Sequence, residues 1–421
     1  MKKFSFLALL FGLASCKRDF DAPVPDTTWD LFESAASIPL GGVTRSGMEG
    51  IYNITEGVNE FGNMAAFRWS YTITPSDTIY HLSMFFEQDA SFVICEGKQH
   101  ENNILLNGYW RKMSNTETGI IRLTITAANG AQELLSGTTG NINEIIISGT
   151  YSIGQNIPDR PVRFEYLRPL YNNTPFQVIA HRGGGRNSDL LPASENSVEM
   201  IRLASRLGAS GIEIDVRLTS DGVPILYHDN TLNERLIEKN GMLGPIENYN
   251  LAQLKGLVRL KRGGQIPTLE EALHTIVHQT PLRFVWLDIK YTGSLAIVRQ
   301  LQQQALQEAA TIGRNLEIMI GVPDEDVLKN FLLLPGFQQI PSLCELDIAD
   351  AEKMNANIWA PMWTSGLQKE EVAKVQAQGR RAFVWTVDGS DNIRKYMYEG
   401  DFDGILSNQP TLVAYHYYAR Q

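Results

Sequence analysis

GIEIDVRLTSDGVPILYHD, residues 211–229, decides how the C-terminal half of this chain is read. Ile212, Ile214 and Val216 alternate with Glu213 and Asp215. In a strand, residues two apart share a face and lie roughly 6.5 Å apart. The two acids therefore project together from a strand whose other face is apolar. Asp221-Gly222 is a two-residue hairpin signal. PILYHD follows too closely for a parallel crossover, which needs about a dozen residues, so it is expected to fold back. A two-residue turn would set Asp215 opposite His228, with Cβ atoms roughly 5 Å apart.

With that segment assigned to a hairpin, eight strand candidates remain after Phe176: QVIAHRG, GIEIDV, RFVWLDIK, EIMIG, SLCELD, IWAPMW, RAFVWTVD and DGILS. Helical patterns separate them. Val198, Ile201, Ala204 and Leu207 have helical spacing closed by Gly208. Thr268 with Glu271 makes a capping box before LEEALHTIVH. Eight alternating strand–helix units in residues 176–421 predict an α/β fold, a TIM (β/α)8 barrel.

The upstream half has a different texture. Residues 40–157 carry short alternating runs such as MAAFRWSYTI, TIYHLSMFF and NILLNGYWRKM, parted by Gly, Asn, Asp and Ser. They predict an antiparallel all-β sandwich or barrel. Its Trp69, Tyr109 and Trp110 read as sheet core rather than as a ligand platform. Three prolines before Pro175 in IPDRPVRFEYLRPLYNNTP mark residues 158–175 as a linker.

The start of the chain reads as a targeting segment. MKKFSFLALLFGLASC has two lysines, an apolar run too short to span a bilayer, and small residues before Cys16. Leu13-Ala14-Ser15-Cys16 resembles the lipobox of bacterial lipoproteins. The resemblance implies that residues 1–16 are a signal peptide with its lipobox, cut before Cys16, which becomes the lipid-modified first residue of the mature chain. Residues 17–39 would then be a tether, and the mature protein would sit in a Gram-negative-type envelope, at the outer membrane. The lipid would be its sole membrane attachment. Cys95 and Cys344 fall in different halves and are expected as buried free thiols.

Composition narrows the function. Net charge is −10, and the only basic run is a short one around Arg259, Lys261 and Arg262. A nucleic-acid partner or polybasic membrane surface has no support. The strand ends, by contrast, are rich in chemistry. Paired acids on a core strand are costly unless compensated, and oxygen-only ligands suit a hard ion, Mg²⁺ or Ca²⁺. Asp288 is a candidate third ligand. Lys290, on the same face as Asp288, and Arg182 suit phosphate oxygens. His181 and His228 suit general acid and base roles. The set fits phosphodiester cleavage.

Taken in order, HRG (His181 to Gly183), Glu195-Asn196-Ser197, E-x-D (Glu213, Asp215), His228-Asp229, IPTLEEAL (Ile266 to Leu273) and WTV (Trp385 to Val387) resemble the glycerophosphodiester phosphodiesterase family. These enzymes are TIM barrels related to the phospholipase-C-like phosphodiesterases. The resemblance implies that His181 and His228 are the acid–base pair. It makes Glu213 and Asp215 metal ligands and puts Arg182 and Lys290 on the phosphate. Glu195 would support the metal or substrate and Trp385 would line the alcohol pocket. The substrate would be a small glycerophosphodiester whose own hydroxyl attacks phosphorus, releasing an alcohol and leaving a cyclic phosphate that water then opens to sn-glycerol 3-phosphate.

Two positions depart from the family. Asp288-x-Lys290 stands where the family commonly has E-x-K, and D-x-K is similar to sphingomyelinase D toxins. A phospholipase-D-like action on lysophospholipid or sphingolipid is therefore an alternative. Ser407-Asn408-Gln409-Pro410 replaces T-D-x-P, losing an acid at a strand end. A non-catalytic surface binding lipoprotein is a third reading, disfavoured by the retained histidines and acids. His274 and His278 have zinc-binding i, i+4 spacing, but no third ligand accompanies them in the sequence. Nothing in the β domain identifies its partner or ligand.

Overall fold

The computed structural model describes residues 23–137 and 145–421; the lipobox and Cys16 lie outside the described residues. Eight strands follow one another in the N-terminal half: β2 (Gly50–Glu56), β3 (Met64–Ile73), β4 (Thr78–Phe86), β5 (Phe92–His100), β6 (Asn103–Arg111), β7 (Thr118–Ile125), β8 (Ile146–Tyr151) and β9 (Arg160–Arg168). Each pairs antiparallel with the next, and β9 returns to β2. The sheet thus closes as an up-and-down barrel. A short β1 (Ser37–Pro39) pairs with Lys98–His100 of β5, beyond the stretch that β4 covers.

Alternation along these strands buries both of their faces. Phe67, Leu82, Met84, Phe86, Val93 and Trp110 fill the interior together with Tyr52, Phe61 and Phe164. The small barrel is a packed core, not a ligand cup. The out-of-phase neighbours Ala66, Phe85, Phe92 and Ile94 belong instead to a cluster shared with the second domain.

The boundary differs from the expected one. RPVRFEYLR is β9, the strand that closes the barrel, and not part of a linker. Its Val162 and Phe164 point inward. Prolines signal a break only where they remove a needed N–H, and Pro161 and Pro169 stand near the ends of this strand. Residues 23–39, expected as tether, also pack on the domain: Asn107 Nδ2 and Arg122 donate to the carbonyls of Thr27 and Thr28.

The second domain contains β10 (Gln177–Ala180), β11 (Gly211–Leu218), β12 (Pro224–Leu226), the small pair β13 (Thr231–Leu232) and β14 (Gly244–Pro245), β15 (Phe284–Ile289), β16 (Glu317–Val322), β17 (Ser342–Cys344), β18 (Ile358–Trp359), β19 (Arg381–Val384) and β20 (Gly404–Ser407). Strands β10, β11 and β15 to β20 are parallel, and β20 returns to β10. These are the eight strands read from the sequence, closed as a (β/α)8 barrel. Helix Val198–Ala204 starts on Ser197, whose Oγ accepts the Met200 N–H. Helix Leu269–Gln279 starts on the Thr268–Glu271 capping box.

Inside this barrel, Ile179, Phe284, Trp286, Met319, Leu343, Ile358, Phe383 and Leu406 form an apolar plug. Gly321 makes room for it, since a Cβ there would lie 2.5 Å from the Trp286 indole nitrogen. The next inward residues, two positions on, are His181, Asp288, Glu345, Trp385 and Asn408. Strand alternation therefore lays a polar layer directly above a dry one, at the C-terminal mouth.

The hairpin folds back as expected, but one residue out of the expected register. Val216 pairs with Leu226 and Leu218 with Pro224, so Tyr227, not His228, stands across from Asp215, its N–H donating to the Asp215 carbonyl at 3.0 Å. The turn takes in Ser220 as well, and Thr219 N–H meets Val223 O. Gly222, at φ +78, supplies the left-handed residue that a three-residue loop needs.

Candidate active site

Glu213, Asp215 and Asp288 are all nearly fully buried, at 1, 0 and 8 % exposure. Adjacent parallel strands in register bring them together, since Asp215 is level with Asp288 and Glu213 with Trp286. One oxygen from each lies within 4.8 Å of the others. Part of each carboxylate is engaged. Glu213 Oε2 accepts the Arg182 N–H at 2.8 Å, Asp215 Oδ2 accepts Asn196 Nδ2 at 2.7 Å, and Asp288 Oδ2 sits 2.5 Å from Lys290 Nζ. Glu213 Oε1, Asp215 Oδ1 and Asp288 Oδ1 remain buried without a hydrogen-bond partner, although Lys290 Nζ is 3.5 Å from Asp215 Oδ1. Leaving such groups unsatisfied is expensive. Three convergent buried carboxylates, each with an oxygen that lacks a hydrogen-bond partner, suit one divalent cation, and an all-oxygen set suits a hard one.

The electrostatics point the same way. Burial, reinforced by Asp215 and Asp288, raises the Glu213 carboxyl well above its ordinary range. Burial also raises Asp288 against the pull of Lys290. For Asp215, burial is outweighed by Lys290, His228, Arg182 and His181, which hold it below the usual value. Burial disfavours the Lys290 charge, but Asp288, Asp215 and Glu213 hold its pKa above normal. The cluster has more negative charge than its own cations neutralise.

His181 follows β10. Its Nε2 lies 3.8 Å from Glu213 Oε2, and its Nδ1 lies 2.6 Å from Asn408 Oδ1. Asn408 Nδ2 donates to Asp388 Oδ2 at 2.7 Å, while Asp388 Oδ1 accepts the Asn408 N–H and the Ser407 hydroxyl. A carboxylate can only accept, so the amide nitrogen must face Asp388 and the amide oxygen His181. His181 therefore carries its hydrogen on Nδ1 and presents a lone pair on Nε2. Burial, with Arg182 beside it, pushes His181 down to about 4, which keeps the ring neutral. The acid missing from Ser407-Asn408-Gln409-Pro410 is supplied by Asp388, on the loop after β19.

His228 stands just past the end of β12. Arg217 Nε grips its carbonyl at 3.1 Å, and Asp229 Oδ1 lies 2.7 Å from its Nδ1. Its charge bears on both Asp215 and Asp288. The displaced hairpin register thus still delivers this imidazole to the acids, by way of a bend after Leu226 and the Arg217 clasp.

Arg182 adopts a left-handed backbone, φ +54, a strained geometry of the kind that collects at functional sites. Its guanidinium donates to Glu195 at 2.8 Å, and its Nε is buried without a partner. Glu195, read from the sequence as supporting the metal or substrate, is buried behind Arg182. Its two oxygens are taken by Arg182, Arg235 and the Asn187 N–H, so it anchors Arg182 from behind. Trp385 packs on the apolar plug and donates to the Ala360 carbonyl at 2.8 Å.

Several residues went unread. Glu345 stands in SLCELD two positions after the inward Leu343, so the two-residue rule that found Asp288 also reaches it. Burial and Asp288 raise its carboxyl well above normal. Asp388, Arg235 and the tie between Asn196 and Asp215 carry no local signal, because their partners are far away in the chain. Glu308, which joins His274 and His278 into a second ligand group, comes from the following helix, and it corrects the statement that those histidines lack a third ligand.

The chain is similar to known proteins along this domain. Residues 181–333 match the model of the Glycerophosphoryl diester phosphodiesterase family. A glycerophosphodiester phosphodiesterase of Caldanaerobacter subterraneus is 26% identical over 243 residues, which cover 55% of this chain and 94% of that enzyme. Glycerophosphodiester phosphodiesterase 1 of Mus musculus is 33% identical over 154 residues, 33% of this chain and 43% of that protein. Among solved structures, a glycerophosphodiester phosphodiesterase from Parabacteroides distasonis aligns with a TM-score of 0.47 at 23% identity, covering 59% of this chain and 99% of that one.

Proposed function

We propose that this chain belongs, through its C-terminal barrel, to the glycerophosphoryl diester phosphodiesterase family and hydrolyses glycerophosphodiesters to sn-glycerol 3-phosphate and an alcohol with one divalent cation, Mg²⁺ or Ca²⁺, held by Glu213, Asp215 and Asp288. One observation carries this reading. The pocket holds three buried carboxylate oxygens with nothing to accept from and one buried guanidinium nitrogen, Arg182 Nε, with nothing to donate to. A cation bound to a phosphate diester satisfies both sets at once. Such a cation would offset charge gathering on the phosphoryl oxygens.

The protein's own groups divide the remaining work. Arg182, fixed by Glu195, takes a phosphate oxygen, and Lys290 adds a point charge beside Asp288. His181, neutral and with its lone pair on Nε2, removes the proton from the attacking hydroxyl. His228, with Nδ1 held by Asp229, gives a proton to the departing alcohol from Nε2. Trp385 borders the alcohol side. The sequence alone supports the further proposal that the enzyme is lipid-anchored through Cys16 at the cell envelope.

The test is release of glycerol 3-phosphate across a panel of choline, ethanolamine and inositol glycerophosphodiesters, with and without EDTA. Chelation is expected to abolish release, and His228→Ala to lower it by at least about 10²-fold. Undiminished turnover in EDTA would remove the cation from the reaction.

A further inference from the structure

Helices Leu269–Gln279 and Ala296–Thr311 pack side by side on the outer wall of the barrel. Residues four apart on a helix share a face, so His274 and His278 rise together, their ring centres 4.4 Å apart. The neighbouring helix supplies Glu308, whose Oε1 lies 2.6 Å from His278 Nε2 and 3.7 Å from His274 Nδ1. One atom from each residue falls within 4.8 Å of the others. We infer that His274, His278 and Glu308 form a second metal site, for a borderline divalent ion of the Zn²⁺ class, which ties these two helices together.

Three features favour a metal over a simple ion pair. An ion pair between His278 and Glu308 has no use for His274, yet His274 converges on the same carboxylate oxygen. Ligand bonds of about 2.0–2.2 Å in a tetrahedron place neighbouring donor atoms about 3.3 Å apart, and the two separations here, 2.6 and 3.7 Å, bracket that value. The side chains are 58, 31 and 43 % exposed, so an ion can enter by small side-chain rotations and keep a water on its open side. Two imidazoles with one carboxylate select Zn²⁺, Ni²⁺ or Cu²⁺ over Mg²⁺ and Ca²⁺. The buried all-oxygen cluster has the reverse preference, so the two sites sort metals by chemistry.

Metal-free full-length protein would be titrated with Zn²⁺ in excess Mg²⁺ by calorimetry, with thermal unfolding followed in parallel. The variants are His274→Ala, Glu308→Gln and, as the arm that isolates the catalytic cluster, Asp288→Asn. One Zn²⁺ is expected to bind wild type and Asp288→Asn alike, and about tenfold or more weakly to His274→Ala and Glu308→Gln. Zn²⁺ should raise the melting temperature of wild type but not of His274→Ala, whose Mg²⁺-supported hydrolysis should be unchanged. Equal Zn²⁺ affinity in wild type and His274→Ala, or no uptake by wild type, would overturn the assignment.

Discussion

Asp388 touches neither the acid cluster nor the phosphate position, yet replacing it should cripple the reaction. Its carboxylate accepts from the Ser407 hydroxyl at 2.9 Å, the Asn408 N–H at 2.8 Å and Asn408 Nδ2 at 2.7 Å. In Asp388→Asn, the retained oxygen stays with the first two, since the Asn408 N–H can only donate and the Ser407 hydroxyl already accepts the Gln409 N–H. The new NH₂ then faces Asn408 Nδ2, donor against donor, and the Asn408 amide must turn over. Its NH₂ would meet His181 Nδ1, now 2.6 Å from an amide oxygen, and drive the imidazole hydrogen to Nε2, the atom that must accept a proton. Restoring the working tautomer leaves a buried amide donor unsatisfied against the new NH₂, about 1–3 kcal/mol. At 1.36 kcal/mol per decade, that is roughly 5–10²-fold in kcat, with KM held because no phosphate contact changes. Adding Asn408→Asp to the same variant puts a carboxylate between both donors and should recover most of the loss. The assay is kcat and KM for one glycerophosphodiester, with ¹⁵N shifts of the His181 ring reporting the tautomer. Wild-type kcat in Asp388→Asn would refute the reasoning.

Glu195→Gln removes the negative charge that pairs with Arg182 and Arg235, and kcat/KM should fall by roughly 10-fold or more, the worth of a charge-assisted bond; an unchanged value would mean Arg182 holds its place unaided. Phe85 is fully buried where the two domains meet, so Phe85→Ala should cost about 3–5 kcal/mol in urea unfolding, and a loss below about 1 kcal/mol would show that the shared cluster carries little stability. His81, on β4, is pushed down to about 3 by burial, with Arg206 adding to it. The unfolded chain takes up this proton as pH falls below about 6.5 and the folded chain does not, so stability is complete above that pH and declines toward pH 3 by about 1.4 kcal/mol per unit. Between pH 7 and 5, His81→Gln should therefore lose about 2 kcal/mol less than wild type; identical pH slopes for the two proteins would exclude His81 as the source.

The eight parallel strands were legible because each is a short apolar run with a helix behind it, and period-two alternation gave the facing of Glu213, Asp215, Asp288 and Lys290 directly. The same alternation in VRFEY was overridden by the prolines around it, and β9 was read as a linker. Whether the β domain was a sandwich or a barrel turned on one pairing, β9 with β2, between segments more than 100 residues apart. No local pattern encodes that closure.

Residue types at strand ends specified the chemistry, since a strand's side-chain period is fixed by its backbone and carries over from sequence to space unchanged. The hairpin register, the Asp388–Asn408–His181 chain, the Glu195 anchor and the meeting of Glu308 with two histidines were decided by tertiary structure alone. Each depends on which elements lie side by side after the barrel closes, and such neighbours are chosen by packing across the whole domain rather than by anything written near the residues themselves.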